Sequence, residues 1–163
     1  VADRIVLGVD PGSSDPRKVG RHGWALLLCR PGRRPVFRGC GRDKVEPLDL
    51  LRQHGYLDLL AVEVPQVVHR IEAVRGVLDT RGSAGTFAGA ASGIGLPLVE
   101  MSPGDWRYRV CKARSPSDAM VKEAILAMIE GWPQISNNHE RDAAGVALAA
   151  SMVPPVLIGM AKR

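Results

Sequence analysis

Apolar positions fall in short runs that each stop at a charged residue, a glycine or a proline. Ile5-Val6-Leu7-Gly8-Val9 is a largely β-branched run that ends at Asp10, with Pro11-Gly12-Ser13 directly after it. Such a run predicts a buried strand, an acid at its carboxyl end and then a turn. Gly23–Leu28 predicts a second strand, Pro31-Gly32 a turn and Val36–Cys40 a third strand, together an antiparallel meander at the amino end. Pro47–His54 predicts a short helix with proline in its first turn. Leu59-Leu60-Ala61-Val62-Glu63 then repeats the opening pattern, an apolar run stopping at a single acid before Val64-Pro65.

The second half has helical spacing. Residues 66–82 are ambiguous: Val67, Ile71, Val74 and Leu78 fit a helix, whereas the arginines and Gly76 fit an exposed arm. Ser83–Gly95, rich in Ala and Gly, predicts a helix packed closely on a neighbour, either within the fold or across a dimer seam. Leu96–Met101 predicts a strand, and Ser102-Pro103 opens a turn or short helix carrying Trp106 and Tyr108. Ser115-Pro116-Ser117-Asp118 is a helix-start signal, and Val121, Ala124, Ile125 and Met128 give the amphipathic face of that helix, which Pro133 is expected to end. Asn137-Asn138 caps a last helix that Ala143, Val146, Ala147 and Ala150 carry to about Met152, before Pro154-Pro155.

With 163 residues and 45% apolar content, one domain over residues 1–155 is expected, followed by a basic tail at 156–163. No apolar stretch approaches the run of about 18 that spans a bilayer. Val1-Ala2-Asp3-Arg4 leads straight into a strand without a signal-peptide pattern, so a cytoplasmic protein with no membrane partner is expected. Cys29, Cys40 and Cys111 are scattered, which points to reduced thiols and away from a disulfide framework or zinc site. The net charge of +5 favours a polyanionic partner, and the arginines cluster in or beside expected loops. Arg70, Arg75, Arg81, Lys112 and Arg114 are the candidate phosphate contacts, a task for which arginine in particular is suited.

The chemistry turns on acids at strand ends. A buried unpaired carboxylate costs several kcal/mol, so Asp10 requires a partner: either a divalent cation or the backbone N–H groups of its own turn. If the two acid-terminated strands lie adjacent and parallel, Asp10 and Glu63 converge beyond one sheet edge, where open α/β sheets bind ligands. His139 and Asp142, three apart, share one face at the start of the last helix, where the helix dipole favours an anion.

Asp10, Glu63 and the His139/Asp142 pair together resemble the four-residue site of the RuvC family of Holliday-junction resolvases, nucleases of the RNase H-like (retroviral integrase) superfamily. The resemblance runs nearly the whole chain in order. It takes in Ile5–Ser13, Gly23-Trp24-Ala25, Ala61-Val62-Glu63, Leu96–Glu100 and the helix His139–Ala149, where the family has Asp or His at the position of His139. It implies an α/β RNase H-like fold, with a mixed five-stranded sheet flanked by helices. It also implies a homodimer that nicks a four-way DNA junction symmetrically, leaving 5′-phosphate and 3′-hydroxyl ends, with two Mg²⁺ or Mn²⁺ ions per site. Asp10, Glu63, His139 and Asp142 would be both catalytic residues and metal ligands. In such a site Asp10 bridges the ions, Glu63 serves the ion with the attacking water, and Asp142 the other.

The chain departs from the family in three places. No aromatic residue follows Glu63, where Val64, Pro65, Gln66, Val67 and Val68 stand; the loop after Asp10 is longer and basic; and a lysine near the start of the penultimate helix is displaced, with Lys112 or Lys122 as substitutes. Alternatives are a related nuclease acting on flaps or RNA·DNA hybrids, and a non-catalytic junction-binding module. A third alternative, an actin- or sugar-kinase-type nucleotide site, is not expected, because those folds need two such domains and 163 residues are too few for both.

Overall fold

The computed structural model describes residues 2–12, 22–44, 46–65, 71–134 and 137–154, the side chains of Asp43 and of 71–76 excepted. A five-stranded sheet is built from β1 (Arg4–Asp10), β2 (His22–Cys29), β3 (Val36–Asp43), β4 (Leu59–Glu63) and β5 (Leu98–Met101), in the order β3-β2-β1-β4-β5. β1 pairs antiparallel with β2, and β2 with β3, completing the expected meander. β1 and β4, then β4 and β5, pair in parallel. The helices are α1 (Pro47–Gln53), α2 (Ile71–Gly93), α3 (Pro103–Cys111), α4 (Asp118–Met128) and α5 (Asn138–Ser151).

Alternation along the central strands sends apolar side chains to both faces, because both faces are covered. Val6, Ala61 and Leu59 meet Trp106, Val121, Ile125 and Val146 on the side of α3, α4 and α5. Leu7, Val9, Leu60 and Val62 meet Leu50, Leu51, Ala84, Phe87 and Ala91 of α1 and α2 on the other.

The close approach of α5 to the sheet depends on two glycines. A Cβ at Gly8 would run into the carbonyl oxygen of Ala143, and one at Gly23 into the backbone of His139. Both obstacles are backbone and cannot rotate away. Gly8→Ala is therefore expected to lower stability by about 1–3 kcal/mol and to push α5 off the sheet, read as an earlier denaturant midpoint at unchanged m-value.

Two expectations change. The ambiguous 66–82 stretch and the small-residue helix merge, since α2 is continuous from Ile71 to Gly93; residues 66–70 lie outside the described set. Pro133 does not end α4, which stops at Met128. Ile129 turns extended and Glu130 bonds the β2–β3 connection instead, its N–H donating to the Pro35 carbonyl at 2.8 Å and its carbonyl accepting from Phe37 at 2.9 Å. The pairing offered by the sheet edge outcompetes another helical turn. Where α5 begins, Asn137 and Glu140 form a reciprocal capping box as their sequence positions suggest.

Candidate active site

β1 and β4 place their terminal acids side by side. Val9 is in register with Val62, so Asp10 and Glu63 continue as neighbours at the carboxyl ends of adjacent parallel strands, which lie about 4.8 Å apart. α5 enters over this edge with His139 in its first turn and Asp142 just beyond it; the acid in the first turn itself is Glu140. His139 Nδ1 lies 2.6 Å from Asp10 Oδ2, a contact that raises the imidazole pKa through its hydrogen bond to Asp10. The sequence-predicted residues thus meet at one place.

Three further residues hold the carboxylates. The indole N–H of Trp106 donates to Glu63 Oε2 at 2.6 Å, and Trp106 itself is fully buried. Its ring lies against Gly145, where any Cβ would collide with it. Arg107 stacks on that ring, its guanidinium carbon 5.3 Å from the centroid, and donates to Asp142 Oδ2 at 3.3 Å. Arg141 donates to Asp142 Oδ1 through both Nε (3.1 Å) and an NH2 (3.0 Å) and is only 7% exposed. Both arginines also approach Asp118 at 3.5 Å, tying the start of α4 to the site. A buried guanidinium is tolerable only with such pairing.

None of the three was foreseen in these roles. Trp106 carried only the signal of an aromatic after a helix-start proline. Arg141 adjoins Asp142 in sequence, and neighbours one apart on a helix do not ordinarily face each other. No described contact joins Lys112 or Lys122 to the acids, whereas Arg107 and Arg141 both donate to Asp142.

Electrostatically the site is crowded with negative charge. Burial, then the charge of Asp10, pushes the Glu63 carboxyl up to about 7, although the Trp106 hydrogen bond and Arg107 act against them. Burial also raises Asp142, against the pull of Arg141 and Arg107. Among the described residues no three His, Cys, Asp or Glu side chains already stand in ligand positions around a single point. The donor set nonetheless suits a hard divalent cation: these are oxygen donors whose mutual repulsion such a cation would relieve. Asp10, Glu63 and Asp142 would have to loosen their hold on His139, Trp106 and the arginines to share it.

The expected DNA contacts are less concentrated. Arg81 is exposed on α2 and donates from Nε to the Pro65 carbonyl at 3.2 Å, two residues beyond Glu63. Lys112 is exposed as the left-handed C-cap of α3, and Arg114 is exposed just after it; neither is brought to the acids by a described contact. Arg70, the side chain of Arg75, the basic loop at 13–21 and the tail at 156–163 lie outside the described residues. The base of that loop is fixed where the Gly12 N–H donates to His22 Nδ1 at 3.1 Å. Burial lowers the His22 pKa, in keeping with a neutral ring accepting at that nitrogen. Phe87 and Trp106 are fully buried, whereas Tyr108 is 54% exposed.

Trp106→Phe keeps an aromatic ring in the core and deletes the donor to Glu63, together with part of the indole's volume. Supporting hydrogen bonds of this kind are worth about 10–100-fold in metal affinity or activity. Any divalent-metal-dependent turnover is expected to fall by that amount while affinity for DNA stays level, measured as single-turnover rate against fluorescence anisotropy.

An antiparallel meander continued by two parallel strands, with acids ending β1 and β4 and a third acid presented by the last helix, defines an RNase H-like α/β protein. Its fold is that of the RuvC resolvases. The chain superposes on T. thermophilus RuvC in complex with Holliday junction substrate with a TM-score of 0.73 at 16% identity, covering 90% of this chain and 92% of that one. On a second Thermus thermophilus RuvC structure the TM-score is 0.68, again at 16% identity, over 89% and 92% of the two chains. No family model matches the sequence, and no curated protein matches it either. Among the described residues no helix is long and apolar enough to cross a membrane.

Proposed function

We propose that this protein is a structure-selective endodeoxyribonuclease that resolves four-way DNA junctions by paired, metal-assisted nicks. The observation that carries the proposal is the convergence of Asp10, Glu63 and Asp142 with His139 at one sheet edge of a RuvC-type fold. Asp10, Glu63 and Asp142, with His139 alongside, would hold Mg²⁺ or Mn²⁺. Two such ions, when bound, supply Lewis-acid stabilisation of the charge that builds on the phosphate and acidify the attacking water.

The chain's own residues do the positioning. Trp106 orients the Glu63 carboxylate, and His139 holds Asp10. Glu63, deprotonated once a cation is bound, is suited to orient the attacking water. Arg107 and Arg141 keep Asp142 in place and put positive charge beside an incoming phosphodiester. Arg81 stands next to the strand exit that carries Glu63 and is suited to a flanking phosphate.

Symmetric cutting of a two-fold substrate calls for a C₂ dimer. One face of α2 carries Ala84, Phe87 and Ala91 into the core, whereas Gly85, Gly89 and Gly93 are exposed, with open space where a Cβ would lie. Leu78 and Ile94 are also exposed, at 62% and 49%. A glycine stripe at helical spacing lets two helices approach closely, and it supports α2 as the seam. Gly85→Leu with Gly89→Leu is expected to convert the dimer to a monomer in light scattering, and to leave single nicks in place of paired ones.

The decisive assay is nicking of a labelled immobile four-way junction beside duplex, flap and RNA·DNA hybrid, with and without Mg²⁺. Preferential, Mg²⁺-dependent cutting of the junction is expected. Preference for the flap or hybrid would assign the alternative nuclease, and binding without cutting in any metal would assign a non-catalytic module.

A further inference from the structure

At the end of the sheet away from the acids lies a hollow of about 550 Å³, within the range of sites that receive a ligand or anchor side chain. It opens between the start of β1, the β2–β3 connection and the carboxyl ends of α4 and α5. Asp10 and Arg4 stand at opposite ends of β1, so this hollow is separate from the carboxylate cluster by the length of the strand.

The hollow's apolar lining comes from buried Cys29 and Leu148, half-buried Met128 and Met152, which is 37% exposed, and its basic lining, the rim, from Arg4, Arg30, Arg33 and Arg34. Two of these arginines have a local structural duty. Arg4 donates to the Ser151 carbonyl at 3.0 Å and Arg34 to the Leu126 carbonyl at 3.4 Å, satisfying the ends of α5 and α4. Those acceptors are neutral, so the positive charge of both is left uncompensated by them. Arg30 pairs with exposed Asp3 at 3.2 Å. Arg33 is exposed at the turn. An apolar cup with this rim is mismatched to water and complementary to a ligand that joins an apolar anchor to several negative charges.

We propose that the hollow docks an acidic peptide segment of a partner protein, with one large apolar side chain seated on Leu148, Met128 and Met152 and flanking carboxylates on the arginines. Duplex DNA would satisfy the rim but leave the concave apolar lining unfilled. Residues 155–163 bring apolar side chains but no acidic one to meet the arginines.

The test uses the full chain and a fluorescein-labelled hexapeptide, Asp-Glu-Asp-Asp-Leu-Phe, in fluorescence polarisation. Its controls are Asn-Gln-Asn-Asn-Leu-Phe and Asp-Glu-Asp-Asp-Gly-Gly. Saturable binding of the first peptide alone is expected, weakening as salt screens the rim. Affinity should drop about tenfold in Arg33→Ala/Arg34→Ala and again in Met152→Glu, with junction nicking unchanged. Equal binding of the neutral peptide, or affinities unmoved by both variants, would overturn the proposal. So would a tenfold loss of junction affinity in Arg33→Ala/Arg34→Ala without any peptide binding, which would make the rim a DNA surface.

Discussion

Asp10→Asn is expected to bind a four-way junction as the parent does and to nick it on the order of 10³-fold more slowly, the scale seen when one preorganised electrostatic group is lost from a hydrolytic site. The substitution is nearly isosteric, and the side chain sits at a strand end, 14% exposed, with His139 at 2.6 Å. Shape and the packing of β1 therefore survive, and what disappears is one negative charge. DNA affinity rests on arginine and lysine contacts to phosphates, so it should be preserved or slightly improved by that loss. The same charge helps hold the Glu63 carboxyl at about 7. Its removal should lower that value and raise the stability of the metal-free protein at neutral pH, a gain paired with loss of function. Parent-like nicking by Asp10→Asn, on the junction and in Mg²⁺, would reject the assignment of the site.

Stability of the metal-free protein is expected to fall as pH rises from about 4.5 to about 7, by roughly 3 kcal/mol at most from Glu63 alone. The folded state holds the Glu63 proton up to about 7, against an unperturbed value of 4.5. Between those limits the folded protein binds more protons than the unfolded chain, so raising the pH favours unfolding. The favourable contribution is complete below 4.5 and gone above 7. The raised values of Asp142 and His139 act in the same direction, and the lowered value of His22 opposes them. The difference between the parent and Glu63→Gln isolates the one group: the variant should lose the part of the decline that Glu63 contributes, and urea denaturation at pH 5 and 8 reads it directly. Mg²⁺ should stabilise the parent more at pH 8 than at pH 5, because a carboxylate must shed its proton to ligate a cation. A parent whose stability is flat from pH 5 to 8, with no difference from Glu63→Gln, would mean that Glu63 is neither desolvated nor repelled by Asp10 as its position implies.

What the amino-acid order determined alone is the element plan and the four residues that head it. Each signal there is local: an apolar run that stops at Asp10 or at Glu63, a Ser-Pro-Ser-Asp start for α4, an Asn-capped α5 with His139 and Asp142 three apart near its start. Periodicity and capping act over a few residues, so they are legible without the fold. Tertiary structure decided the rest. Trp106 reaches Glu63 across 43 residues of chain, and Arg107 reaches Asp142 across 35, contacts that exist only once α3 is laid against α5 and β4. It also decided that α4 stops at Met128, because Glu130 finds partners on the β2–β3 connection that lie far away in sequence. The glycines at 8 and 23 read as ordinary strand residues until α5 lies over them. Local preference chooses the helices and strands, but the free energy of a buried acid depends on which charges the fold brings beside it.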